Sequence, residues 1–140
     1  MYYSKTITNI ADMVTQVTQG IQISVETQFM EDQSNPESGD FLFTYRIYIE
    51  NRSDTTVQLM RRHWYIFDSN GGKSEVEGEG VVGQQPILLP GDIYEYQSAC
   101  NLQSDMGSML GTYTMQRQSD GLQFKVQIPR FELITPQRLN

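Results

Sequence analysis

Apolar side chains in this chain recur at every second residue, and that period decides what the chain can fold into. Ile21, Ile23, Val25, Thr27 and Phe29 alternate with polar residues. Phe41, Phe43, Tyr45, Ile47 and Ile49 do so again, with Arg46 and Glu50 on the opposite face. Side chains of an extended strand point to the two faces in turn, so the alternation marks half-buried strands. A polar loop over residues 32–39 separates the two. Residues 51–54 read as a turn, followed by strand over 55–60 and 63–68 with an irregularity at Arg61 and Arg62. Residues 69–72 form a second turn from residues that tolerate positive φ. Further strands fit 75–82, 93–98, 111–117 and 122–128, the last two joined by the hairpin signal Gln118-Ser119-Asp120-Gly121. No window of eleven or more residues holds a helical stripe, and the best short-helix candidate is 103–110, where Leu102, Met106 and Met109 are spaced i, i+4, i+7 and Gly107 weakens the pattern. Seven or eight short antiparallel strands predict an all-β fold, an immunoglobulin or fibronectin type III-like β-sandwich, with a Greek-key barrel as the alternative.

Charge narrows the partners. With 10 Lys+Arg against 17 Asp+Glu the chain carries a net charge of −7. Binding to a phosphate backbone draws on Lys and Arg displacing counterions, so nucleic acid is not expected, and an anionic membrane surface is disfavoured for the same reason. One Cys and one His allow neither an internal disulfide nor a multi-histidine metal site. No stretch approaches the roughly 20 apolar residues of a membrane span, and the first residues lack the apolar core of a secretory signal, so no membrane insertion and a cytoplasmic location are expected. Asn51-Arg52-Ser53 matches a glycosylation acceptor, which has no meaning without secretion. Length suits one domain. Its expected organisation is an N-terminal extension over 1–13, the domain over 14–134, and a C-terminal tail over 135–140.

Gly78-Glu79-Gly80-Val81-Val82-Gly83 matches G-x-G-x-x-G. A dinucleotide site of that pattern needs a helix after the glycines, with pyrophosphate at its N-terminus. Here Pro86 and Pro90 come next, and prolines four residues apart forbid a useful helix. The surrounding charge also repels phosphate: the 43 residues from Ser74 to Gln116 hold six acids and no Lys or Arg. Read from the residues alone, the glycines permit a bulge or a close backbone approach.

Glu75, Glu77 and Glu79 alternate, so their carboxylates share one strand face. They are the candidate ligands for a weakly held Mg²⁺ or Co²⁺, and no other cofactor is expected. The alternative is a solvated face whose like charges discourage edge pairing. Cys100 and His63 are the elements of a nucleophile and base, but nothing in the sequence places them together. Arg61-Arg62-His63-Trp64-Tyr65 has the chemistry to stack on a base or clamp an acid. The preferred reading is structural, with the arginine paired to acids of a neighbouring strand and Trp64 filling the core between sheets.

Taken in order, several motifs resemble the ApaG family. They are Val57-Gln58-Leu59, the run from Arg62 to Asp68, the run from Glu77 to Pro86, and Leu89-Pro90-Gly91 with Tyr94, Tyr96 and Ser98. Met109, Gly111, Tyr113 and Met115, then Phe124, Val126, Ile128, Pro129, Phe131 and Leu133, complete the pattern, which runs from about Val14 to the C-terminus. The resemblance implies a fibronectin type III-like sandwich and a small protein associated with Co²⁺/Mg²⁺ resistance or efflux. It also implies reuse as a protein-interaction module, and a pyrophosphate-binding role for Gly78, Gly80 and Gly83. The expected function is therefore a non-enzymatic module engaging an unidentified protein partner, in an oligomeric state left open. The alternative is a regulator that takes a divalent cation or a nucleotide pyrophosphate at the glycine-rich loop.

Overall fold

A computed structural model describes residues 13–139. The expected N-terminal extension lies outside these described residues, Met13 apart. Among the described residues nine strands succeed one another: β1 (Val14–Thr18), β2 (Ile21–Phe29), β3 (Phe41–Asn51), β4 (Val57–Asp68), β5 (Lys73–Glu79), β6 (Ile87–Leu88), β7 (Ile93–Leu102), β8 (Met106–Arg117) and β9 (Gln123–Ile134). They form two antiparallel sheets, β1-β2-β3-β7 and β5-β4-β8-β9, with the short β6 also on β4. The two sheets face each other as a sandwich rather than closing into a barrel. The alternating residues Ile21, Ile23, Ile47 and Ile49 of the first sheet are buried against Leu59, Tyr113, Met115 and Val126 of the second. Trp64, 3% exposed, takes the expected place between the sheets, edge-on to Tyr45 at 5.4 Å and to Phe131 at 5.8 Å between ring centroids.

Four sequence expectations change. The two segments 55–60 and 63–68 are one strand, β4, interrupted by a bulge between Leu59 and Arg61. One extra residue there shifts the alternation, so the inward series Val57, Leu59 continues as Arg62, Trp64 and Ile66. No helix forms over 103–110: β8 starts at Met106, and Met109 is buried by strand pairing. Gly107 and Gly111 permit this, because a Cβ on them would stand 2.3 Å from the Phe67 carbonyl oxygen and 2.1 Å from that of His63. The strand expected over 75–82 ends at Glu79, where a turn takes over. β9 runs on past Ile128, since Pro129 falls opposite a register shift at Met109–Gly111 on an edge strand, where no ladder bond is lost. Beyond β9, Thr135 is buried and residues Pro136–Leu139 form a single helical turn, α1.

Candidate functional site

Among the described residues β5 and β7 are edge strands of their respective sheets, and the segment joining them carries the features that the rest of the sandwich does not explain. It begins at the glycine motif. Val81 and Gln84 exchange backbone hydrogen bonds at 2.8 and 2.9 Å, closing a two-residue turn at Val82-Gly83. Both turn residues have positive φ, 46° and 76°. Glycine accepts this conformation freely, whereas a β-branched valine is strained in it. Val82 is nonetheless there, with its side chain 62% exposed. Gly80, at φ 65°, lies so close to Gln84 that a Cβ would stand 2.2 Å from its carbonyl oxygen.

The loop faces its interior with carbonyls, not amides. Gly80 N–H donates to the Met60 carbonyl, and the Val81 and Gln84 amides are spent on the turn. The carbonyl oxygens of Glu79 and Gly80 instead accept from Nη1 of Arg62, at 2.9 and 3.0 Å. Gly78, directly across from Arg62 in the ladder, makes room for the guanidinium, since a Cβ there would come within 3.0–3.2 Å of it. No helix opens after Gly83; the chain runs into β6. The sequence expectation that the arginine pairs with acids of the neighbouring strand does not hold: none of the ion pairs among the described residues includes Arg62.

Those acids lie on the other face. Glu75 and Glu77 flank His63, which donates from Nε2 to Glu75 Oε2 at 2.5 Å and places Nδ1 3.7 Å from Glu77 Oε2. Glu79 sits opposite Arg61 in the ladder. The His63 ring stacks on Tyr65 at 4.6 Å. Among the described residues no group of three or more His, Cys, Asp or Glu side chains is arranged to hold a metal ion. Cys100 faces inward from β7 and is buried, while His63 faces outward from β4, so the two are not brought together. Burial, with the Asp68 charge adding to it, pushes the Cys100 thiol up to about 11, which removes its nucleophilic form at neutral pH.

From Gln84 to Ile93 the segment is tied down at many points. Leu59 N–H donates to the Pro86 carbonyl, Gln85 Nε2 to Met60 and Gln58 Nε2 to Gln85. Asn51, fully buried, is the hub of the far end. Its Nδ2 donates to the carbonyls of Thr55 and Leu88, at 2.8 and 2.9 Å, and its Oδ1 accepts from the Ser53 amide and hydroxyl. Its backbone binds Gly91 and Asp92. The glycosylation-acceptor match at Asn51 is thus occupied by structure. On this anchored segment Val82, Ile87, Leu89 and Ile93 stand 62, 52, 55 and 62% exposed. Alternation does not reveal this cluster, because its residues lie in and around turns near Pro86 and Pro90, where no period exists to be read. The apolar residues spaced about those prolines are the signal that could have found it.

Comparison with known proteins agrees with the geometry. A family model described as the ApaG domain matches residues 31–117. Protein ApaG of Brucella canis is 47% identical over 126 residues, covering 90% of this chain and 96% of that protein. Protein ApaG of Sinorhizobium fredii is 46% identical over 120 residues, covering 86% and 92%. Among solved structures, the putative ApaA protein from Bordetella pertussis superposes with a TM-score of 0.80 at 37% identity, covering 88% of this chain and 96% of that one. The C-terminal domain of wzt, at 10% identity and a TM-score of 0.50, shares the fold alone and covers 89% of this chain and 78% of its own.

Proposed function

The chain belongs to the ApaG family, and from that premise we propose that it is a non-enzymatic binding module supporting Co²⁺ and Mg²⁺ resistance or efflux by engaging a protein partner. One observation carries the reading: four exposed apolar side chains, Val82, Ile87, Leu89 and Ile93, are held on a segment pinned by hydrogen bonds to β4 and Asn51. Apolar groups that are both exposed and pre-ordered lower the entropy cost of docking. A strained, β-branched residue at the tip is the kind of local cost that persists at working sites. The partner is a protein with a basic rim around an apolar pocket, because the surrounding stretch from Ser74 to Gln116 contributes six acids and no Lys or Arg.

The test replaces Val82 with a photo-crosslinking residue in the full chain, expressed in the source cells under excess Co²⁺. One reproducible adduct is expected, weakened by added salt and lost when Leu89→Ser and Ile87→Ser are introduced together. The same double variant should fail to restore Co²⁺ tolerance to cells lacking the gene. Both positions are exposed, so the fold is retained. Absence of a reproducible adduct from Val82, or full rescue by the double variant, refutes the reading.

A further inference from the structure

The open side of the sandwich, between edge strands β5 and β7, holds a cleft of about 480 Å³. Its walls include Tyr45, Trp64, Tyr96, Ser98 and Met109, and Arg62 projects into it from β4. This volume lies within the range of small-molecule sites, and the lining is what such sites use: aromatic and apolar walls with a few polar groups. The polar lining residues are Tyr45, Tyr96, Ser98, Asn101 and Arg62, with the Tyr96 hydroxyl paired to that of Tyr113 behind it.

Arg62 is the unexplained member. Arg62 is half-buried, and a charge held partly out of water is commonly paired with an opposite one. Here two backbone carbonyls satisfy Nη1 only, and the Nε–H and Nη2 hydrogens have no acceptor among the described residues. That free edge of the guanidinium is a planar fork, which fits a carboxylate in bidentate fashion. The fork is also fixed in place, since the β4 bulge turns Arg62 inward and Gly78 leaves space for it. The positive charge extends over the cleft: burial raises the Tyr45, Tyr96 and Tyr113 hydroxyls, and Arg62 pulls each of them the other way.

We propose that this cleft binds a small organic acid, one carboxylate on an apolar or aromatic group, with Arg62 as its counter-ion and Tyr45 and Trp64 along the apolar part. One guanidinium matches one negative charge. A phosphate dianion would leave a charge unmatched in a stretch of six acids with no further base. The site is distinct from the docking segment, sharing only Val82 at its rim, and it functions in the purified chain without a partner.

The protein's one tryptophan, Trp64, lies in the wall and reports occupancy. Phenylacetate is titrated into the full chain, followed by Trp64 fluorescence and calorimetry, beside phenylacetamide and inorganic phosphate. Saturable binding of phenylacetate is expected, with the neutral amide and phosphate each weaker by about tenfold or more, the scale of a charge-assisted hydrogen-bonded pair. N-acetylphenylalanine carries the same chemistry as the end of a polypeptide. If it binds more tightly than phenylacetate, the carboxylate comes from a chain terminus; if more weakly, from a free small acid. Arg62→Gln should lose phenylacetate binding by a similar factor. Should that variant fail to fold, Val76→Phe fills the cleft from an exposed rim position and should block binding with the sandwich intact. Equal binding of the acid and the amide, undiminished binding by either folded variant, or no saturable response up to millimolar phenylacetate overturns the proposal. Survival of the crosslinked adduct alongside such a failure would leave the partner-docking reading standing by itself.

Discussion

Replacing Asn51 by Ala should destabilise the protein more than any other change of a polar residue to alanine in the first sheet. The side chain makes four hydrogen bonds with no water contact, two donated to the carbonyls of Thr55 and Leu88 and two accepted from Ser53. Ala removes all four. The Thr55 carbonyl keeps a bond from the Ser53 hydroxyl at 3.2 Å, and the Leu88 carbonyl keeps its ladder pairing with Val57. The four lost bonds contribute about 0.5–1.5 kcal/mol each, not additively. The expected loss is about 3 kcal/mol, or about 9–12 °C in Tm for a chain of this size. Urea unfolding gives the free energy, with an unchanged m-value showing that the denatured state is not the cause. Because the side-chain bond to Leu88 is the tie to this segment that is lost, amide exchange should accelerate at Leu89 and Gly91 before it does in β2 or β3. Asn51→Asp separates hydrogen bonding from size. It sets a carboxylate oxygen against two carbonyl oxygens, so at pH 7 it should cost at least as much as Ala. A carboxyl in that place holds its proton more tightly folded than unfolded. Its penalty relative to the native protein is therefore smallest below the ordinary Asp pKa of about 3.9 and grows as pH rises. A loss under about 1 kcal/mol for Asn51→Ala would refute the hub assignment, since that is within the range of a single net hydrogen bond.

Two further measurements probe the cleft and its loop. Gly80→Ala meets the Gln84 carbonyl oxygen at 2.2 Å in a left-handed backbone, and should cost about 2–4 kcal/mol, whereas Gly83→Ala, with open space around it, should cost only the φ penalty of about 1 kcal/mol; equal losses in thermal unfolding would contradict the geometry. Cys100 should not react with a thiol reagent at pH 8 until the protein unfolds. Its folded pKa of about 11 exceeds the ordinary 9.0, so the retained proton stabilises the fold below pH 9 and that contribution is lost between pH 9 and 11; equal native and denatured labelling rates would contradict this.

The strands were legible wherever one face is buried and the other wet, because that condition writes a period of two into the residues. β2 and β3 are the clearest instances, with Ile21, Ile23, Ile47 and Ile49 all fully buried at the alternate positions. Legibility failed where the backbone rather than the side chains sets the outcome. A bulge at Leu59–Arg61 inserts one residue and reverses the sense of everything after it, so Arg62 reads as a surface residue by count and turns inward in fact. Met106 and Met109 keep a helical spacing within a strand, where three residues apart sets them on opposite faces and only Met109 enters the core. The apolar segment from Val82 to Ile93 escaped because exposure without periodicity has no pattern, and Asn51 because a turn-forming asparagine looks the same whether it is buried or solvated.

The glycine motif shows why a pattern of small residues specifies closeness and not ligand. Glycines let a backbone come near something; whether that backbone offers amides or carbonyls depends on the conformation of the next segment. A helix after the last glycine aligns free N–H groups and invites an anion. Here Pro86 and Pro90 deny the helix, the Val81 and Gln84 amides close the turn, and the carbonyls of Glu79 and Gly80 accept from Arg62. A cradle of carbonyls wants a cation, and Arg62 supplies it from the adjacent strand. Since those carbonyls occupy only one nitrogen of the guanidinium, the loop holds the arginine without discharging it. The anion site then lies one residue deeper than the motif indicates, on the far side of Arg62 in the cleft.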